Sequence, residues 1–180
     1  MKLWTLACAA LLLASSICVA SAKEPDSGYP IAVEARGVER IGGHLNLDML
    51  VWNCSDKQIS VDGVYLPWGG SLGRGLVIYH AFSGKTLEQV YPVEDFPEQI
   101  YTIPGGGNVA GRIALDGYFL GLGRIKDLHG FVVFWVYQQI GNSGAPVGKK
   151  FGGMVPLDSE LADAPNGNPC RPRGSASVVH

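Results

Sequence analysis

Glycine and proline punctuate this chain so closely that a helical architecture is excluded from the start. The sequence holds 25 Gly and 11 Pro in 180 residues, a glycine share roughly twice the usual ~7%. No stretch of about twelve residues keeps apolar positions at i, i+3, i+4 and i+7 without meeting one or the other. Period-two runs lie between the breaks. His44 to Asn53 is the clearest, with Leu45, Leu47, Met49 and Val51 on one face and Asn46 and Asp48 on the other. Asn53-Cys54-Ser55-Asp56 is turn chemistry, and Gln58 to Val64 alternates again, which predicts a hairpin.

Further strands are expected at Tyr29–Val38, Gly75–Phe82, Thr86–Val90, Val109–Leu115, Phe131–Gln139 and Phe151–Leu157, with a loop over Tyr91–Gln99. Leu66-Pro67-Trp68-Gly69-Gly70 interrupts this order, since proline cannot donate to a ladder. The expected fold is all-β: a single antiparallel β-sandwich of the immunoglobulin-like kind with about seven to nine short strands. A small closed barrel is the alternative.

The N-terminus reads as an address. Met1-Lys2, the apolar run Leu3–Ala14 and the small residues Ala20-Ser21-Ala22 form a signal peptide over residues 1–22. Residues 23–157 are then the β-sandwich domain and 158–180 a flexible tail. The expected location is periplasmic or secreted. No later stretch approaches the ~18 apolar residues of a span, so no stable membrane insertion is expected after cleavage. Cys8 and Cys18 leave with the leader, and Cys54 and Cys170 remain. In an oxidising compartment they can form one bridge, closing a loop worth up to roughly 4–5 kcal/mol. Two free thiols are the other reading.

Charge excludes one partner class. With 14 Lys+Arg against 16 Asp+Glu and a formal net charge of −2, there is no positive surplus to neutralise phosphates, so no nucleic acid is expected. Catalytic constellations are equally thin. Gly69-Gly70-Ser71-Leu72-Gly73 satisfies G-x-S-x-G, and Asp116 or Asp127 followed by His129 stand in the right order for a serine hydrolase. The strand and helix that should flank such an elbow are missing. Gly148-Lys149 fails the phosphate-loop pattern because Ser143 and Lys150 occupy its first and last positions. The four histidines have no metal-ligand spacing. No catalytic residue, metal or cofactor is therefore assigned. Asn53-Cys54-Ser55 matches an N-glycosylation acceptor.

What remains is contact surface. Tyr65, Trp68 and Arg74 in the Gly/Pro-rich loop are of the types that dominate binding hot spots. The other reading of Trp68 is a core plug folded under its own loop. The order from the apolar strand through Asn53-x-Ser55-Asp56, an alternating strand, a long loop, a strand ending in Ser83-Gly84-Lys85, then Ile103-x-Gly105 before another strand, resembles the bacterial intracellular proteinase inhibitor family. The likeness covers roughly residues 44–115 and rests on turn spacing. It implies an immunoglobulin-like sandwich presenting loops to a protease, and it assigns no individual site residue. This chain departs from it in its leader, its Pro67-Trp68 loop and its strands after Leu115. The expected function is thus an exported, non-catalytic inhibitor or immunity-type protein that binds another protein, a hydrolase or toxin, through loops. Alternatives are an accessory module of an envelope assembly docking by edge-strand addition, and a small serine hydrolase using Ser71 and His129.

Overall fold

The computed structural model describes residues 28–71, 75–91, 99–140, 145–159 and 168–170. The expected leader, Arg74 and most of the expected tail lie outside these. Nine strands occur among the described residues: β1 (Ile31–Ile41), β2 (His44–Asn53), β3 (Ile59–Asp62), β4 (Leu76–His80), β5 (Lys85–Thr86), β6 (Ile100–Ile103), β7 (Asn108–Ala114), β8 (Phe131–Ile140) and β9 (Pro146–Pro156). All named pairings are antiparallel, in sheets of order β1-β2-β7, β3-β6 and β5-β4-β8-β9. The fold is all-β. One α-helical turn, Leu115–Tyr118, follows β7. No helix among the described residues is long and apolar enough to cross a membrane.

Alternation builds the core. Leu45, Leu47, Met49 and Val51 point inward from β2 and are buried. They meet Ile78 from β4 and Val133, Trp135 and Tyr137 from β8 in one apolar cluster that spans the sheets. Burial of each large side chain contributes about 1.5–3 kcal/mol.

The opposite face of β2 is also covered. Leu50 and Trp52 pack with Ala32 of β1, against Phe151 and Cys170. Asp48 accepts from Arg112 Nε at 2.8 Å across the β2–β7 pair. So Leu50 and Trp52, which period two assigns to solvent, are shielded by Phe151 of β9 and by Cys170.

Three expectations are corrected. The turn after Asn53 does not join a β2–β3 hairpin. Instead β2 pairs with β1 and β7, while β3 pairs with β6, a strand absent from the sequence reading. The cause is Asn53, whose side chain ties the turn to residues 103–104 rather than letting the chain fold back on β2. Second, β4 ends at His80, so Phe82 leaves the ladder. Third, β9 begins at Pro146 and reaches past Phe151 because its ladder with β8 continues through an irregularity at Gln138/Gln139.

Candidate functional site

The Pro67–Trp68 loop is built around close backbone approach. Asp62 Oδ1 accepts from Val64 N at 3.1 Å and starts the turn Gly63–Tyr65. Leu66 follows, fully buried, and Pro67–Ser71 forms one wide helical turn. Gly69 is obligatory, because a Cβ there would sit 2.0 Å from the carbonyl oxygen of Gly63. The indole of Trp68 lies over Gly111 of β7, where a Cβ would come within 2.0 Å of its Cδ2. Tyr101 meets that indole edge-on at 5.9 Å, and Trp68 Nε1 donates to Tyr101 Oη at 3.4 Å. Tyr101 Oη donates on to Gln99 Oε1 at 3.1 Å.

Tyr65 is half-buried against the same core. Its carbonyl accepts from the hydroxyl of Tyr137. Burial of Tyr137 strongly favours the protonated phenol and raises its pKa well above the ordinary tyrosine value. The structure therefore brings Tyr65 and Trp68 together at the edge of the core, each with part of its surface open; Arg74 lies outside the described residues.

Cys54 and Cys170 form a disulfide with their Cα atoms 5.1 Å apart. The short segment around Cys170 is further fixed where Asn168 Nδ2 donates to Gly106 O at 3.5 Å and Asn168 Oδ1 accepts from Cys170 N at 2.8 Å. Beside the bridge, Asn53 is fully buried. Its Nδ2 donates to the carbonyls of Lys57, Ile103 and Pro104 at 2.7, 3.0 and 3.1 Å. Its Oδ1 accepts from Ser55 N and Oγ. An amide so engaged is not available to carry a glycan in the folded protein. Gly105-Gly106-Gly107 packs on this turn, with a Gly105 Cβ position only 2.3 Å from Asp56 O, so the triple glycine is a structural turn.

A second aromatic group stands at the far end of β4, where the sequence reading offers only His129, as a hydrolase base, and no contact surface. His80 stacks on Phe131 at 4.3 Å, and Phe82 meets His80 edge-on at 5.6 Å. Phe82 also tilts against His129 at 5.3 Å. The Phe82 ring covers Gly130, whose φ of +78° and whose Cβ position 2.5 Å from the ring both require glycine. The turn is fixed by Gly84 N donating to His80 O at 3.0 Å and Ala81 N to Gly130 O at 2.8 Å. His80 Nδ1 also bonds Ser83 Oγ at 2.8 Å. Phe82 is nevertheless 71% exposed. A large apolar ring is thus held on a rigid turn with most of its surface in water.

The acid–base groups are dispersed. His129 Nδ1 lies 3.1 Å from Asp158 Oδ2, while Asp127 accepts from the His129 backbone. Asp116 lies 2.7 Å from His44 Nδ1. These are two separate pairs, and the side chain of Ser71 lies outside what the structure describes. No group of three or more His, Cys, Asp or Glu suited to a metal ion occurs among them. Comparison with family models, with curated proteins and with solved structures finds no match to this chain.

Proposed function

We propose that this chain is an exported, non-catalytic binding protein that grips another protein through its loops, and that it serves as an inhibitor or immunity-type protein against a hydrolase or toxin. The observation that carries the reading is Phe82, 71% exposed on a turn that its own backbone bonds and Gly130 hold still. A pre-ordered aromatic anchor loses little entropy on binding, and aromatic residues recur among interface hot spots. The open part of Tyr65, beside the packed ring of Trp68, offers a second, smaller contact from the opposite end of β8. The leader sequence and the Cys54–Cys170 bridge favour a periplasmic or secreted location.

The finer architecture we propose is an immunoglobulin-like sandwich. Its support is strand order: β1-β2-β7 corresponds to strands A-B-E, and β5-β4-β8-β9 to C′-C-F-G. The β3-β6 pair is an addition between B and C and between C′ and E.

The test is photo-crosslinking. A benzophenone amino acid at position 82, in protein exported by its own source, is expected to capture one discrete partner. The same probe at exposed Leu120 serves as control. Capture that is identical at both positions, or absent at 82 across envelope and secreted fractions, overturns the reading.

A further inference from the structure

The bridge between Cys54 and Cys170 joins two parts that the fold holds unequally. On the Cys54 side the turn is secured by its own bonds. Cys54 N donates to Pro30 O at 2.7 Å, and Asn53 N donates to Gly107 O at 2.9 Å. Gly106 N donates to Asn53 O at 3.1 Å and to Ser55 O at 3.0 Å. The Asn53 amide adds its bonds to the carbonyls of Lys57, Ile103 and Pro104. None of these involves a sulfur. On the Cys170 side the ties are few. Pro169 has no N–H to give, and Cys170 N bonds within its own segment, to Asn168 Oδ1. Among the described residues, one hydrogen bond joins this segment to the body, from Asn168 Nδ2 to Gly106 O, and at 3.5 Å it lies at the outer limit of such a bond. The covalent link therefore carries the attachment.

Cys170 packs on the patch formed by Ala32, Leu50 and Trp52, all buried. Phe151 covers the same patch from β9. Trp52 Nε1 donates to Glu34 Oε1 at 3.1 Å, so the indole keeps its place whether or not Cys170 lies on it. The bridge itself is open to attack, since Cys54 is exposed and Cys170 half-buried, and access to a sulfur is a first requirement of thiol–disulfide exchange. We infer that Cys54–Cys170 is an exchange site for a dithiol reductant, and that opening it frees the segment around Cys170 and turns the Ala32–Leu50–Trp52 patch toward solvent while the sheets stay folded.

The exchange balances without any other reactant. A thiolate of the dithiol attacks Cys54 Sγ, the more exposed sulfur. The bond to Cys170 breaks, and Cys170 leaves as a thiolate that takes up a proton. The second thiol of the reductant then attacks the mixed disulfide and frees Cys54, which is protonated in turn. Two electrons and two protons pass to the chain, and the reductant ends as its own disulfide. A bridge that only braces a fold opens when the fold opens. Here the Asn53 turn holds without it, so opening is local.

The decisive experiment is reduction of the oxidised protein by dithiothreitol under native conditions, quenched with iodoacetamide and read by mass. The bridge is expected to open without denaturant, at a rate that changes by less than about twofold per molar of urea below the unfolding transition. Opening through global unfolding would instead accelerate by roughly tenfold per molar. The reduced chain is expected to keep its far-ultraviolet circular dichroism while its tryptophan emission shifts to the red. Trp52→Phe is expected to abolish that shift. Cys54→Ser combined with Cys170→Ser is expected to fold and to show the shifted emission with no reductant present. A bridge that resists reduction until urea unfolds the chain overturns the inference. So does a reduced chain or a double variant that loses its circular dichroism, and so does emission that ignores Trp52→Phe. Phe82 takes no part in these measurements, so they stand apart from the partner it binds.

Discussion

Two aromatic rings in this molecule sit over glycines, and the fold surrounds them in opposite ways. Trp68 covers Gly111 on the inner face of β7; Phe82 covers Gly130 at the mouth of β8. In both places the missing side chain lets a ring come within van der Waals reach of the backbone, of β7 at Gly111 and of the turn before β8 at Gly130. The difference lies on the other side of the ring. Behind Trp68 stand Tyr101 and the apolar core. Around Phe82, among the described residues, stand His80 and His129, and 71% of its surface is exposed. Residue type alone therefore does not separate scaffold from contact surface. What separates them is which face of the ring the fold leaves bare.

This contrast can be broken by substitution. Trp68→Ala removes a packed ring and leaves the space over Gly111 unfilled, and it is expected to cost about 3 kcal/mol in denaturant unfolding. A loss near zero would move Trp68 to the surface class. Gly111→Ala attacks the same contact from the opposite side. Its Cβ meets the indole on a strand that cannot retreat, so a loss of about 1–3 kcal/mol is expected from overpacking. If Trp68→Ala and Gly111→Ala are combined, their effects are expected to fall short of additive, because the clash disappears with the ring.

Tyr137→Phe sharpens the scaffold side of the comparison. It strands the Tyr65 carbonyl and is expected to cost about 1 kcal/mol. It also carries a pH signature. Burial raises the folded-state pKa of Tyr137 above its unfolded value of about 10. Its contribution is therefore complete below pH ~10 and is lost as pH rises from there toward the folded value. Wild-type stability is expected to fall more steeply than that of Tyr137→Phe in alkaline unfolding titrations. Parallel curves would remove Tyr137 from the loop's support. The smallest expected effect on stability is that of Phe82→Ala, within about 0.5 kcal/mol, because most of that ring is already in water. A large destabilisation would show that it packs as Trp68 does.

The inward faces were legible because period two is a local property. Leu45, Leu47, Met49 and Val51 are buried where the alternation puts them. Pairing was less legible, since it depends on contacts distant in sequence. Asn53 looked like a turn residue and is one, yet its three carbonyl partners include residues fifty positions away. Those bonds send β3 to β6 instead of back to β2. The outer face of β2 misled for a similar reason: Leu50 and Trp52 break the polar alternation because Cys170 and Phe151 cover them. Phe82 was hidden by its own pattern. It continues the series Leu76, Ile78, His80 at period two, so it read as the end of a buried strand. Only the turn closed by Gly84 and Gly130 lifts it out. The signal that could have found it is Ser83-Gly84-Lys85, a turn beginning immediately after the ring. Tyr65 and Trp68 were singled out by residue type, but nothing in the sequence reports that the partner of Trp68 is the empty position at Gly111.

The most direct test of the division between scaffold and contact is the affinity of whatever partner is captured at position 82, measured for Phe82→Ala and for Trp68→Phe side by side. The account gives a loss of about 2 kcal/mol or more, roughly thirtyfold in Kd, for Phe82→Ala, and an unchanged Kd for Trp68→Phe. An unchanged Kd for Phe82→Ala together with a weakened one for Trp68→Phe would contradict it.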